Sequence, residues 1–136
     1  MTLPGLSVST RIRIARPSRD LAAVTRFYVE GLGLTVLYQS DGEGEAVALT
    51  IVGLPGAAWH LEFTRAHEHA LLPAPTEEDL LVLYLNEPAP ETFIRHLEAH
   101  GGVRVPAANP YWARWGVTVQ DPDGYRLVLS QRIWTA

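Results

Sequence analysis

The 136-residue chain contains no cysteine, and all 11 of its basic residues are arginine. The first absence excludes disulfides, thiolate zinc sites and cysteine nucleophiles together, and leaves the redox compartment open. The second excludes Schiff-base chemistry on a lysine amine. No apolar run approaches the ~20 residues that a membrane-spanning helix needs. Met1 to Arg11 lacks the charged start and apolar stretch of a signal peptide, so a cytoplasmic location is expected and a membrane partner is not. There is no nucleophile elbow, phosphate loop or GxGxxG fingerprint; Gly31-Leu32-Gly33 reads as a helix stop. An excess of positive charge is missing too. The 15 acidic residues leave a net charge of −4 and a pI ≈ 5.7, which argues against a nucleic-acid partner.

What is present suffices for a core. Hydrophobic residues make up 47% and charged residues 19%, the balance of one compact domain or of two small halves sharing a core. Two helices stand out. The first is expected over Asp20 to Glu30, capped by Ser18 or Asp20, with Leu21, Val24, Phe27 and Tyr28 at helical spacing and Gly31 as the left-handed stop. The second is expected over Pro90 to His100, with Pro90 in the first turn, Phe93, Ile94 and Leu97 as the buried stripe, and Gly101-Gly102 as its end. Short strands are expected near residues 11–15, 34–39, 45–53, 58–64, 79–86, 103–105, 115–120 and 125–132, several of them alternating at period two. Asp41-Gly42-Glu43-Gly44, Leu54-Pro55-Gly56 and Asp121-Pro122-Asp123-Gly124 are turns.

The order is strand, helix, three strands, and then the same again after a proline-containing linker. The halves echo each other: Leu54-Pro55-Gly56 with Trp59 to Phe63 resembles Pro122-Asp123-Gly124 with Tyr125 to Leu129. Gly31-Leu32-Gly33-Leu34 is echoed by Gly101-Gly102-Val103. An internal duplication follows.

The segments Asp20-Leu21 through Arg26-Phe27-Tyr28, Gly31-Leu32-Gly33-Leu34, Trp115-Gly116-Val117 and Asp121-Pro122-Asp123-Gly124-Tyr125 resemble the vicinal oxygen chelate superfamily. That superfamily includes glyoxalase I, extradiol ring-cleaving dioxygenases and bleomycin-resistance proteins. The resemblance runs from about Arg11 to Gln131 and is specific for the fold but not for a reaction. It implies an α+β fold: one domain over residues 1–136, with βαβββ modules at 10–65 and 79–134 joined by a linker at 66–78. Their strands would curl around a half-open cleft. A homodimer is expected, because small members of the superfamily build clefts at module or dimer interfaces.

Family enzymes hold one divalent metal with ligands from the first and last strand of each module. Carried over, these positions fall on Arg13, on Glu62, on Leu80 by spacing or Val82 by the internal repeat, and on Val128. Of these only Glu62 can ligate a metal, since a charged guanidinium has no lone pair to give. No metal or other cofactor is therefore expected, a divalent metal being the alternative.

The candidate ligand-binding residues are Arg13, His60, Glu62, Tyr84, Trp112, Trp115, Arg126 and Val128. His60 and Glu62 share parity on one strand; they form either a binding or proton-transfer pair, and so the catalytic candidates, or a polar surface edge. The resemblance brings Arg13 and Glu62 together at the vacated metal position as a buried pair, structural or ligand-facing. Tyr111, Trp112 and Trp115 make either a platform for a flat ligand or packing at the module interface. Tyr84 shares parity with Leu80 and Val82, and Arg126 and Ser130 with Val128, so these should line one wall, while Trp59, Leu61 and Phe63 pack beneath the helix. His67-Glu68-His69 is read as a solvated loop, and His96 and His100 as an exposed helix face.

Three functions remain open: a metal-free small-molecule-binding protein, a metal-dependent lyase or ring-cleaving dioxygenase, and a metal-independent enzyme with Glu62 or His60 as general base.

Overall fold

A computed structural model describes residues 4–69 and 71–135. Two four-stranded mixed sheets form the α+β architecture that the sequence implies. The first holds β1 (Ile12–Pro17), β2 (Thr35–Ser40), β3 (Val47–Gly53) and β4 (Trp59–Ala66) in the order β1-β4-β3-β2. The second holds β5 (Leu80–Tyr84), β6 (Val103–Val105), β7 (Gly116–Gln120) and β8 (Arg126–Ser130) in the order β5-β8-β7-β6. Each first strand lies parallel to the last strand of its module. Arg13 pairs with His60 as Leu80 pairs with Arg126, and Ala15 with Glu62 as Val82 with Val128. This register makes Leu80 the counterpart of Arg13, so spacing located the position and the internal echo missed it by two residues.

The first helix departs from a single regular stretch. α1 (Leu21–Arg26) is capped by the Asp20 carboxylate on the Ala23 amide, and Phe27–Gly31 continue it as a wider π-turn. There the Leu32 amide reaches back to the Phe27 carbonyl at 2.8 Å. The left-handed stop is Gly33 (φ 94°) and not Gly31. Gly31 serves a different need: a Cβ there would lie 3.2 Å from that of His100, so it permits close helix–helix approach. α2 (Glu91–Ala99) begins one residue later than expected, with Pro90 extended in the cap position. α3 (Pro110–Trp115) was not expected. Asn109 caps it by accepting from the Tyr111 amide at 2.9 Å, and Pro110 pre-sets its first turn. Six residues are too few to show a helical period, and the Asn-Pro start was its one legible sign. None of the described helices is long and apolar enough to cross a membrane.

Both modules supply one core: Val24, Phe27, Tyr28, Leu61 and Phe63 from the first, and Ile94, Leu97, Val119, Leu127 and Leu129 from the second. Leu61 and Phe63 lie beneath the helix, as their parity requires, with Trp59 partly buried against them. Gly102 is the tightest point. A Cβ there would sit 2.9 Å from the Leu97 carbonyl, the Phe27 ring and the Val119 methyl. Gly102→Ala is expected to cost about 1–3 kcal/mol through overpacking. The check is a lower denaturant midpoint at unchanged slope.

A polar joint ties the modules together. The Tyr28 hydroxyl donates to Asp121 Oδ2 at 2.8 Å, Ser18 Oγ to Asp123 Oδ2 at 2.6 Å, and the Arg19 amide to Asp123 Oδ1 at 2.9 Å. Burial raises the Asp121 carboxyl above its ordinary value and raises the Tyr28 phenol well above its own. Ser18 thus serves this joint, and the helix cap is left to Asp20.

Candidate functional site

Arg13 on β1 and His60 and Glu62 on β4 project from the same face of the first sheet, as strand alternation dictates. Arg13 Nε donates to His60 Nε2 at 2.9 Å, and its Nη1 lies 3.5 Å from Glu62 Oε1. One guanidinium therefore bridges an imidazole and a carboxylate. A guanidinium can only donate, so His60 Nε2 is the acceptor in this contact. The pair is not buried as expected. The Arg13 side chain is 51% exposed against 15% for Glu62, because this face of the sheet is open to solvent. As an ion pair it contributes under about 1 kcal/mol to stability.

The second module carries a concavity of about 860 Å³, with Leu80, Asn109, Trp112, Thr118, Arg126 and Val128 among its lining residues. Leu80, Val128 and Thr118 supply its sheet wall, α3 brings Trp112 over it, and the segment before β5 brings Glu77 and Glu78. That segment is held by Asp79, which accepts from the Thr76 amide at 2.7 Å; hydrogen bonds from Thr76 hold the exposed Asp79 carboxyl below its ordinary value.

Six of the eight expected site residues thus divide into two sets. Trp112, Arg126 and Val128 line the cavity, whereas none of Arg13, His60 and Glu62 does. Tyr84 shares the sheet face of Val82 but lies outside that lining. It is 42% exposed and packs edge-on to Trp112, ring centroids 6.2 Å apart. Trp115 does not share a platform with Trp112. Its ring is covered by the guanidiniums of Arg114 and Arg132, each 4.8 Å away. Ser130 is fully buried and its hydroxyl accepts from the Arg132 amide.

Thr118 was missed. It is 3% exposed, lines the cavity, and its Oγ1 has no hydrogen-bond partner. The hairpin closed by Asp121 to Gly124 places it opposite Val128, and that register was readable from the turn.

The histidine clusters are engaged elsewhere. His67 Nε2 lies 3.1 Å from the Gly42 carbonyl, so His67 is tied to the β2–β3 hairpin. His96 Nε2 is 2.8 Å from the Glu30 carbonyl, and His100 Nδ1 is 2.7 Å from the His96 carbonyl. Among the described residues, no three His, Asp or Glu side chains come together as a metal-binding group.

Residues 12–64 match the YycE-like N-terminal domain, and residues 78–131 match the YycE-like C-terminal domain. The chain belongs to the YycE-like family. The Bacillus subtilis (strain 168) protein YycE, itself uncharacterized, is 38% identical over 122 residues, 89% of this chain and 87% of its own. A 2.0 Å crystal structure of a YycE protein from B. subtilis matches the fold with a TM-score of 0.81 at 35% identity, over 94% of this chain and 93% of that one. Leishmania major glyoxalase I matches with a TM-score of 0.68 at 19% identity, covering 88% of this chain and 84% of its own. The fosfomycin resistance protein FosX of Mesorhizobium loti matches with a TM-score of 0.64 at 15% identity, over 96% and 93%. The YycE-like fold is thereby a vicinal oxygen chelate fold. At the identities of the last two it is the fold alone that is shared.

Proposed function

We propose that this YycE-like protein binds a small, flat organic molecule, and does so without the divalent ion that the fold family implies. The observation that carries the reading is the Arg13 guanidinium, which stands at one of the superfamily's ligand positions and lies 3.5 Å from Glu62 Oε1, at another. The four ligand positions offer one carboxylate, one guanidinium and two alkyl side chains, a donor set that does not fit a divalent ion. The cavity volume of about 860 Å³ suits a ligand of ordinary small-molecule size.

The cleft is completed, in this reading, by a second copy of the chain. The Arg13 face of one protomer closes over the Trp112 cavity of its partner. Two features support this: the first-sheet face is open, with Tyr38 57% exposed upon it, and the site residues lie on two separate walls of one chain.

The test is metal analysis with thermal denaturation. After dialysis the protein should hold no stoichiometric metal, and added Mn²⁺, Zn²⁺ or Ni²⁺ should leave Tm unchanged. An ion bound at a hundredfold its Kd would add about 2.7 kcal/mol, several degrees for a domain of this size. One retained ion per chain overturns the metal-free reading. Light scattering tests the composite cleft, which a monomer at micromolar concentration would overturn.

A further inference from the structure

Arg126 is a charged side chain without adequate counter-charge. It is 11% exposed, yet it donates only to the Pro106 carbonyl, at 3.1 Å, and faces one carboxylate, that of Glu77, at 3.9 Å. Glu77 is itself 72% exposed and so free to move into water. A guanidinium carries five N–H donors, so one protein carbonyl and one carboxylate at 3.9 Å leave donors for a ligand in the cavity. Beside it stands a second unmet group. Thr118 faces the same cavity from β7, with its hydroxyl buried and unpartnered. Arg126 and Val128 share a face of β8, and Thr118 lies opposite Val128. The two donors therefore border one patch of the cavity wall. Leu80, Val128 and the Trp112 ring supply apolar surface beside them, and Thr76, Glu77, Glu78 and Asn109 supply the polar remainder of the lining.

We propose that Arg126 and Thr118 form an anion-holding subsite, and that the occupant is a planar aromatic molecule bearing one carboxylate or phosphoryl group. The anion satisfies the guanidinium and the threonine hydroxyl, and the ring lies on Trp112 over Leu80 and Val128. Glu77 acts as a displaceable counter-ion that the ligand anion replaces. This rests on the small-molecule-binding reading above and names the class of ligand.

The probes are 2-naphthoate, 2-naphthyl phosphate and the neutral isostere 2-naphthamide, titrated calorimetrically into the full chain. At least one anion should bind about tenfold or more tightly than the amide, as expected for hydrogen bonds to a charged group. Which anion binds better identifies the carboxylate or the phosphoryl group as the natural handle. Arg126→Gln should abolish that preference while leaving amide binding in place. Thr118→Val should weaken anion binding about three- to tenfold. It should keep or raise Tm, because it removes a buried hydroxyl that has no partner in the free protein; a structural hydroxyl would instead lower it. Glu77→Gln should tighten anion binding about two- to fivefold by removing the competing carboxylate.

Equal binding of anions and amide overturns the subsite and leaves the cleft reading standing. So does anion binding that survives Arg126→Gln. Failure of all three probes to bind at millimolar concentration overturns the subsite and the planar-ligand reading together.

Discussion

Asp121→Ala is expected to destabilise the protein by about 2–4 kcal/mol, because it leaves buried neutral donors without their acceptor. The carboxylate accepts three hydrogen bonds: from the Tyr28 hydroxyl at 2.8 Å, the Asp123 amide at 2.8 Å and the Tyr125 amide at 3.0 Å. Alanine would orphan a fully buried phenol and two turn amides at once, and loosen the Asp121 to Gly124 turn that the second module uses to grip the first. Asp121→Asn retains an acceptor for the two amides and is expected to cost under about 2 kcal/mol. Urea unfolding of both variants decides the point, and equal losses would show that the charge matters more than the acceptor geometry.

The same joint sets an alkaline limit. Tyr28 is raised well above its ordinary 10.0, chiefly by burial and then by the neighbouring Asp121 charge. A raised group binds its proton more tightly in the folded state than in the unfolded one. The stability it contributes is therefore complete below pH 10 and is lost as pH rises from there toward the folded value. Asp121 is also raised, from 3.8, so it acts with the same sign in a more acidic window: stability falls as pH climbs from its unfolded value to its folded one. Unfolding free energy measured between pH 9 and 11 should decline in the native protein. Tyr28→Phe should be less stable at neutral pH and should lose the part of the alkaline decline that Tyr28 supplies.

The second large effect is a gain. Arg13→His, Leu80→His and Val128→Glu, combined with native Glu62, are expected to create a divalent metal site where the native chain offers one carboxylate. Without metal the triple variant should be less stable than the native protein, because Val128 is fully buried and a carboxylate there is unpaired. Added Zn²⁺ or Mn²⁺ should restore stability, one ion per composite cleft, and a chelator should remove it. The outcome also reports on assembly, since Arg13 and Glu62 belong to one module wall, and Leu80 and Val128 to the other. A folded triple variant that binds no ion would mean that the two walls do not face each other in solution.

The sequence by itself determined the duplicated module, the order of its strands and two main helices, and the face on which each strand residue lies. Period-two alternation assigns Leu61 and Phe63 to the core and His60 and Glu62 to the opposite face without any knowledge of partners. The turn at Asp121 to Gly124 carries the register that places Thr118 opposite Val128. These are short-range consequences of backbone geometry, so they are written locally. Only the tertiary structure decided what each side chain meets. Nothing near Gly31 in the sequence says that it must clear His100, nor that Gly33 takes the left-handed turn in its place. α3 was too short to show a helical period, and only its packing puts Trp112 in the cavity lining and Trp115 beneath Arg114 and Arg132. The half-exposed state of Arg13 and the near-burial of Arg126 depend on which surfaces the two sheets leave uncovered. That is a sum over residues distant in sequence, which no local pattern encodes.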